Sequence, residues 1–121
     1  MMRLPGVLTV VAEAEGQPVG FAMMSLEHRA QGELELAAIA VEPAWQSRGI
    51  GRLLLEHGER EARRLAPAGV TPALRLNVAG SNARARRVFE VAGFREVVGD
   101  HDRYPAGQLS LCLRKILAPR P

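Results

Sequence analysis

Two glycines one residue apart, in the stretch Gln46-Ser47-Arg48-Gly49-Ile50-Gly51-Arg52, stand between an apolar run ending at Val41 and a leucine-rich segment starting at Ile50. Lacking side chains, such glycines let the backbone approach a ligand closely. If the leucine-rich segment is a helix, its first-turn N–H groups have no intrahelical partners and carry the positive end of the helix dipole. Together these features make a seat for phosphate oxygens, with Arg48 and Arg52 adding charge at its edge. Two better-known phosphate-binding turns do not fit. A Walker A loop requires lysine and then Ser or Thr after its last glycine, whereas Gly51 is followed by Arg52-Leu53. A Rossmann turn requires three spaced glycines and a later acidic residue, a pattern also absent. A glycine pair alone is equally what an ordinary helix-start turn uses, so the surrounding elements must decide.

Glu33 and Glu35 precede the turn, two residues apart and therefore on one face of a strand. Either can accept a proton, and either is also what a solvent-facing strand carries. His28, His57 and His101 are scattered without metal-ligand spacing, and no His/Cys/carboxylate cluster suggests zinc, so no metal is expected.

The elements that must position these residues are legible from periodicity. Val7 to Ala14 and Val19 to Leu26 are β-type runs around a Gly/Pro-containing turn, Glu15-Gly16-Gln17-Pro18, and predict an antiparallel hairpin. Glu33 to Val41 begins by alternating and ends continuously apolar, as a central strand does, and Glu42-Pro43 stops it. A helix is expected from near Gly49 to about Ala66, with Ile50, Leu53, Leu54, Ala62 and Leu65 on its apolar side and Pro67 ending it. A short strand follows over Ala73 to Val78. Asn82 then supplies an N-cap to a second helix, Ala83 to Ala92, closed by Gly93. Phe94 to Val98 and Leu109 to Ile116 complete the set, joined by a polar loop. The order β-β-β-α-β-α-β-β predicts an α/β fold of the mixed α+β kind: a mostly antiparallel mixed sheet with two main helices, in one domain spanning residues 1–121.

Composition narrows the function classes. The 121 residues are 47% hydrophobic and 24% charged, the balance of a domain with a core of its own. There is no long apolar run and no basic segment leading into an apolar one, so no membrane partner is expected and a cytoplasmic location is the default. The single cysteine, Cys112, suits a reducing compartment. Net charge is +3, and fifteen of the sixteen basic residues are arginine, clustered at 60–64 and 84–87. The first cluster is interleaved with glutamates at helical spacing, and stacking aromatics are scarce, so a nucleic-acid partner is disfavoured.

The stretch LAAIAVEPAWQSRGIGRLLLEH resembles the acyl-CoA-binding signature of the GNAT superfamily of N-acyltransferases: a strand ending in valine and proline, then Q/R-x-x-G-x-G/A, then a leucine-rich helix. A second stretch, LRLNVAGSNARARRVFEVAGF, resembles that family's next strand and helix, with landmarks at Asn82, Ala85, Gly93 and Phe94. The resemblance runs from about Val7 to Ile116 and implies an acetyl-CoA-dependent N-acetyltransferase acting by direct transfer. The implied acceptor is a primary amine on a small molecule or protein. Ile39, Ala40 and Val41 would offer main-chain contacts to the pantetheine arm, lying like an added strand. The pyrophosphate would rest on the amides of Ser47, Arg48, Gly49, Ile50, Gly51 and Arg52. Asn82 would bond the pantetheine arm, or act as a plain N-cap.

An alkylamine nucleophile, with a pKa of about 10.4, must lose a proton before it attacks. Glu35 matches the position of a catalytic glutamate in some histone-type members, with Glu33 in reserve. Relatives that acetylate ribosomal-protein N-termini carry a glutamate where this chain has Asn77. Many members carry an acid tyrosine where this chain has Phe89, which leaves Tyr104, in a Tyr-Pro pair like one in the alanine-acetylating relatives, as substitute acid. These departures also admit a CoA-binding partner subunit without turnover. Family members usually begin with a further strand and two helices, and the expectation is that a second copy of the chain, or another protein, covers the face these would occupy.

Overall fold

The computed structural model describes residues 6–103 and 109–118. Three strands open the fold: β1 (Val7–Ala14), β2 (Gln17–Ser25) and β3 (Glu33–Val41). Helix α1 (Ile50–Leu65) crosses to β4 (Ala73–Ala79), and α2 (Ala83–Val91) leads to β5 (Arg95–Arg103) and β6 (Leu109–Ile116). The six strands form one sheet in the order β1-β2-β3-β4-β6-β5, antiparallel everywhere except between β3 and β4. The parallel pair follows from α1, because only a crossover connection can return the chain to run beside β3 in the same direction.

The hairpin turn is tighter than its sequence suggests. Glu15 and Gly16 both take positive φ, 53° and 76°, so two residues suffice, and Gln17 and Pro18 already belong to β2. Pro18, opposite Glu13, is tolerated beside the register shift between Ala12 and Glu13. β5 is longer than expected: the polar residues from His101 to Arg103 continue it, pairing with Leu111, Ser110 and Leu109 after a bulge. An edge strand accepts polar residues because one side has no neighbour to satisfy.

Leu34 and Leu36 of β3, Ala22 and Met24 of β2, and Leu74, Leu76 and Val78 of β4 face a single core. Helix α1 meets it with Leu54, Leu55, Gly58 and Ala62, while Leu53, expected on that side, is 57% exposed. The contact is close: a Cβ on Gly58 would lie 3.0 Å from the Met24 sulfur. Phe94 closes the core beneath α2, with Phe89 edge-on to it at 5.7 Å. Both helices share this face. On the opposite face, Glu33 of β3 binds Arg75 of β4 at 3.3 Å and Arg114 of β6 at 3.0 Å, tying three strands together. No described helix is long and apolar enough to cross a membrane.

Candidate functional site

Strands β3 and β4 pair only over Glu33, Leu34 and Glu35, opposite Ala73, Leu74 and Arg75. Beyond them β4 continues against β6 and β3 against β2, so the sheet forks. A local cause lies in β3, where the pairing with β2 passes from Leu36 to Ala38 and skips Ala37. A bulge of this kind bends its strand and increases twist, turning β3 away from β4 just after their last shared pair. Six residues of β3, from Leu36 to Val41, therefore run along the fork without a β4 partner.

At the mouth of the fork the chain turns into α1 through a loop whose conformation is set residue by residue. Pro43 begins a single 3₁₀ turn ending at Trp45. Ser47 then takes φ 64° and Gly49 φ 84°. A left-handed serine costs about 1–2 kcal/mol, a local strain of the kind that accompanies binding sites. Its effect is to gather backbone N–H groups into one concavity. Among the described residues, none of the six amides from Ser47 to Arg52 donates to a protein acceptor; the first to do so is Leu53, to the Gly49 carbonyl at 3.0 Å. Among the described residues, nothing lies within 4 Å of where a Cβ would stand on Gly49 or Gly51.

This loop forms one wall of an open cleft of about 1040 Å³. Ile39, Ala40 and Val41 form the floor along the fork, and α2 supplies the far wall through Arg84, Arg87, Val88 and Phe89. Ser47, Ile50, Gly51 and Arg52 all line it. Arg48 does not: its guanidinium lies over the Trp45 ring, 4.9 Å from the centroid, where a cation–π contact holds it. Gly49 shapes the turn without lining the cleft. The Val41 carbonyl already accepts from the Gln46 side chain at 3.1 Å, a contact the sequence did not signal.

Asn82 serves as the N-cap of α2, its Oδ1 accepting from the Ala85 amide at 3.1 Å. Glu35 stands at the vertex of the fork, on the face away from the helices, with its carboxylate 3.9 Å from Arg75 Nε. Glu33 is bound by two arginines and only 15% exposed, so the freer carboxylate is Glu35, at 33%. About 13 Å of strand separates Glu35 from Ile39 at the cleft floor. Tyr104 lies outside the described residues. Among the described residues no group of His, Cys, Asp and Glu is placed to hold a metal ion.

A forked sheet with an amide nest at its mouth and a crossover helix behind defines an acyltransferase-type fold, and the comparisons identify the family. The chain belongs to the acetyltransferase (GNAT) family, whose model matches residues 2–94. It is 44% identical over 78 residues to the ribosomal protein bS18-alanine N-acetyltransferase of Salmonella typhimurium, covering 63% of this chain and 49% of that protein. It is 32% identical over 105 residues to the mycothiol acetyltransferase of Propionibacterium freudenreichii, covering 84% of this chain and 32% of that one. The chain thus spans half or less of the length of these curated relatives. Among solved structures, the ribosomal-protein-S18-alanine N-acetyltransferase of Escherichia coli superposes with a TM-score of 0.75 at 27% identity, over 98% of this chain and 74% of the other. A GNAT-family acetyltransferase structure from Desulfovibrio desulfuricans gives 0.79 at 28% identity, over 93% and 71%.

Proposed function

We propose that this chain, as one domain, binds acetyl-CoA in the fork and transfers the acetyl group to a primary amine. The observation that carries this reading is the set of six amides from Ser47 to Arg52, unengaged among the described residues, at the mouth of a cleft floored by a strand open on one side. Unengaged amides at a helix start favour phosphate oxygens, and a strand lacking a neighbour favours an extended, amide-bearing chain. Coenzyme A has both parts in that order. Both relatives are named acetyltransferases, which supports acetyl as the acyl group, and the bS18-alanine N-acetyltransferase name supports an amine as acceptor.

When bound, the thioester supplies an activated carbonyl. The chain's own residues would hold it and move a proton. Ser47 to Arg52 take the pyrophosphate, Ile39 to Val41 align the pantetheine arm, and Asn82 offers its side-chain nitrogen to the same arm. Glu35, at the fork vertex, accepts the proton that the incoming ammonium must lose. Phe89 supplies no acid. A thiol with a pKa of about 8.5 departs tolerably without one, and Tyr104 is the residue proposed to assist it. For the acceptor we favour the N-terminus of a protein, on the strength of the bS18-alanine relatives. The protein is taken to act in the cytoplasm.

The test is thermal unfolding with and without CoA, followed by thioester consumption against a panel of amines and N-terminal peptides. CoA-dependent stabilisation with turnover supports the reading. Stabilisation without turnover on any acceptor would favour the partner-subunit alternative, and no stabilisation would remove the reading altogether. We further propose that a second copy covers the helix-free face, where Val11 and Phe21 are exposed beside a hollow of about 440 Å³. A monomer in light scattering at high concentration would remove that proposal.

A further inference from the structure

The second arginine cluster finds a use that the glycine turn does not explain. Among the described residues, every charged residue lining the large cleft is an arginine: Arg52 on one wall, Arg84 and Arg87 on the other. Helix α2 divides its three arginines sharply. Arg86 turns back on its own helix, donating to the Gly80 carbonyl at 3.2 Å and approaching Glu90 at 4.0 Å. Arg84 and Arg87, three residues apart and so on one side of the helix, are exposed and have no hydrogen-bond or ion-pair partner among the described residues. Two adjacent guanidinium groups facing one cleft without a carboxylate repel each other, an arrangement that a bound anion relieves.

The amide nest is neutral and faces them across the cleft. It suits the two bridged phosphates of a diphosphate, whose charge is spread, and it leaves the nucleotide's third phosphate unaddressed. A phosphomonoester carries about −1.5 to −2 charge at neutral pH and is best met by planar guanidinium forks. We propose that Arg84 and Arg87 seat the ribose 3′-phosphate of coenzyme A, making the site selective for the 3′-phosphorylated nucleotide. This deepens the reading of the cleft as a CoA site and rests on it.

Titration calorimetry with CoA and with 3′-dephospho-CoA, on the wild type and on an Arg84→Gln/Arg87→Gln double variant, tests the inference. The wild type should bind CoA about tenfold or more tightly than the dephospho form, the effect expected of charge-assisted bonds to one phosphate. In the double variant that ratio should fall towards one while affinity for 3′-dephospho-CoA stays unchanged, which also reports that the variant is folded. Equal wild-type affinities, or a variant that loses both ligands in parallel, would overturn the assignment while leaving the CoA site intact. Binding of neither ligand by the wild type would instead sink the underlying reading of the cleft.

Discussion

Gly51→Leu separates a ligand-binding loop from an ordinary helix start. Gly51 is the second residue of α1, lines the cleft, and has nothing within 4 Å of where its Cβ would project. The fold therefore has room for the leucine, and replacing a helical glycine gains up to roughly 1 kcal/mol of helix propensity, less so near the terminus. A bound diphosphate on the Ser47 to Arg52 amides would occupy the same space. For the wild type, CoA at about 100 Kd adds about 2.7 kcal/mol, close to 10 °C for a chain of this size. The expected result in thermal unfolding is a variant whose unliganded midpoint is unchanged or a few degrees higher and whose CoA-dependent shift is nearly abolished. Opposite signs for the two quantities cannot arise from general destabilisation. A variant that keeps the full CoA shift would refute the placement of the phosphates on this turn.

Gly32 and Gly69 both have φ near 80°, but a Cβ at Gly32 would meet the Val70 side chain at 2.6 Å and the Thr71 carbonyl oxygen at 2.7 Å, whereas Gly69 is open. Gly69→Ala should cost about 1 kcal/mol in denaturant unfolding and Gly32→Ala about 2–4 kcal/mol, the excess being overpacking. Glu33→Gln removes the charge joining Arg75 and Arg114 and should lower stability by roughly 1–3 kcal/mol, read as a shifted urea midpoint. Glu35→Gln should instead leave the midpoint within about 0.5–1 kcal/mol while lowering kcat about 10²–10⁴-fold if it accepts the amine proton; an unchanged kcat would remove it from the mechanism. Phe89→Tyr, placing a hydroxyl beside the cleft, should raise kcat by up to about 10²-fold if protonation of the leaving thiol limits turnover, and leave it unchanged if not.

Element order and the glycine turn were legible because they rest on local chemistry: alternation in Val7 to Ala14, Pro43 after Val41, Asn82 before Ala83. Where Leu53 and Leu55 point was not legible, since both fall at helix-compatible spacings and only the seating of the helix on the core, where Gly58 meets Met24 and Leu74, selects the buried side. The open strand edge at the fork was expected from the family resemblance alone, and nothing in the periodicity announces it. It depends on a bulge at Ala37, inside a run of small apolar residues that carries no turn residue to announce it. Arg48 looked like a phosphate ligand by position, yet the aromatic ring of Trp45, three residues away, claims it. Likewise Glu33 and Glu35 are equivalent by periodicity. They are distinguished by contacts made across the sheet, above all with Arg114, which lies 81 residues downstream of Glu33.

The fork has a consequence for the empty protein. Most sheets keep their vulnerable borders at the outside, where charges or short strands discourage intruders; here a border six residues long opens within the sheet, along Leu36 to Val41, and a single glutamine side chain covers one of its carbonyls. Any extended peptide with free amides could lodge there. If coenzyme A fills the gap as proposed, it would protect the chain from self-association, and its removal should register as aggregation before it registers as unfolding.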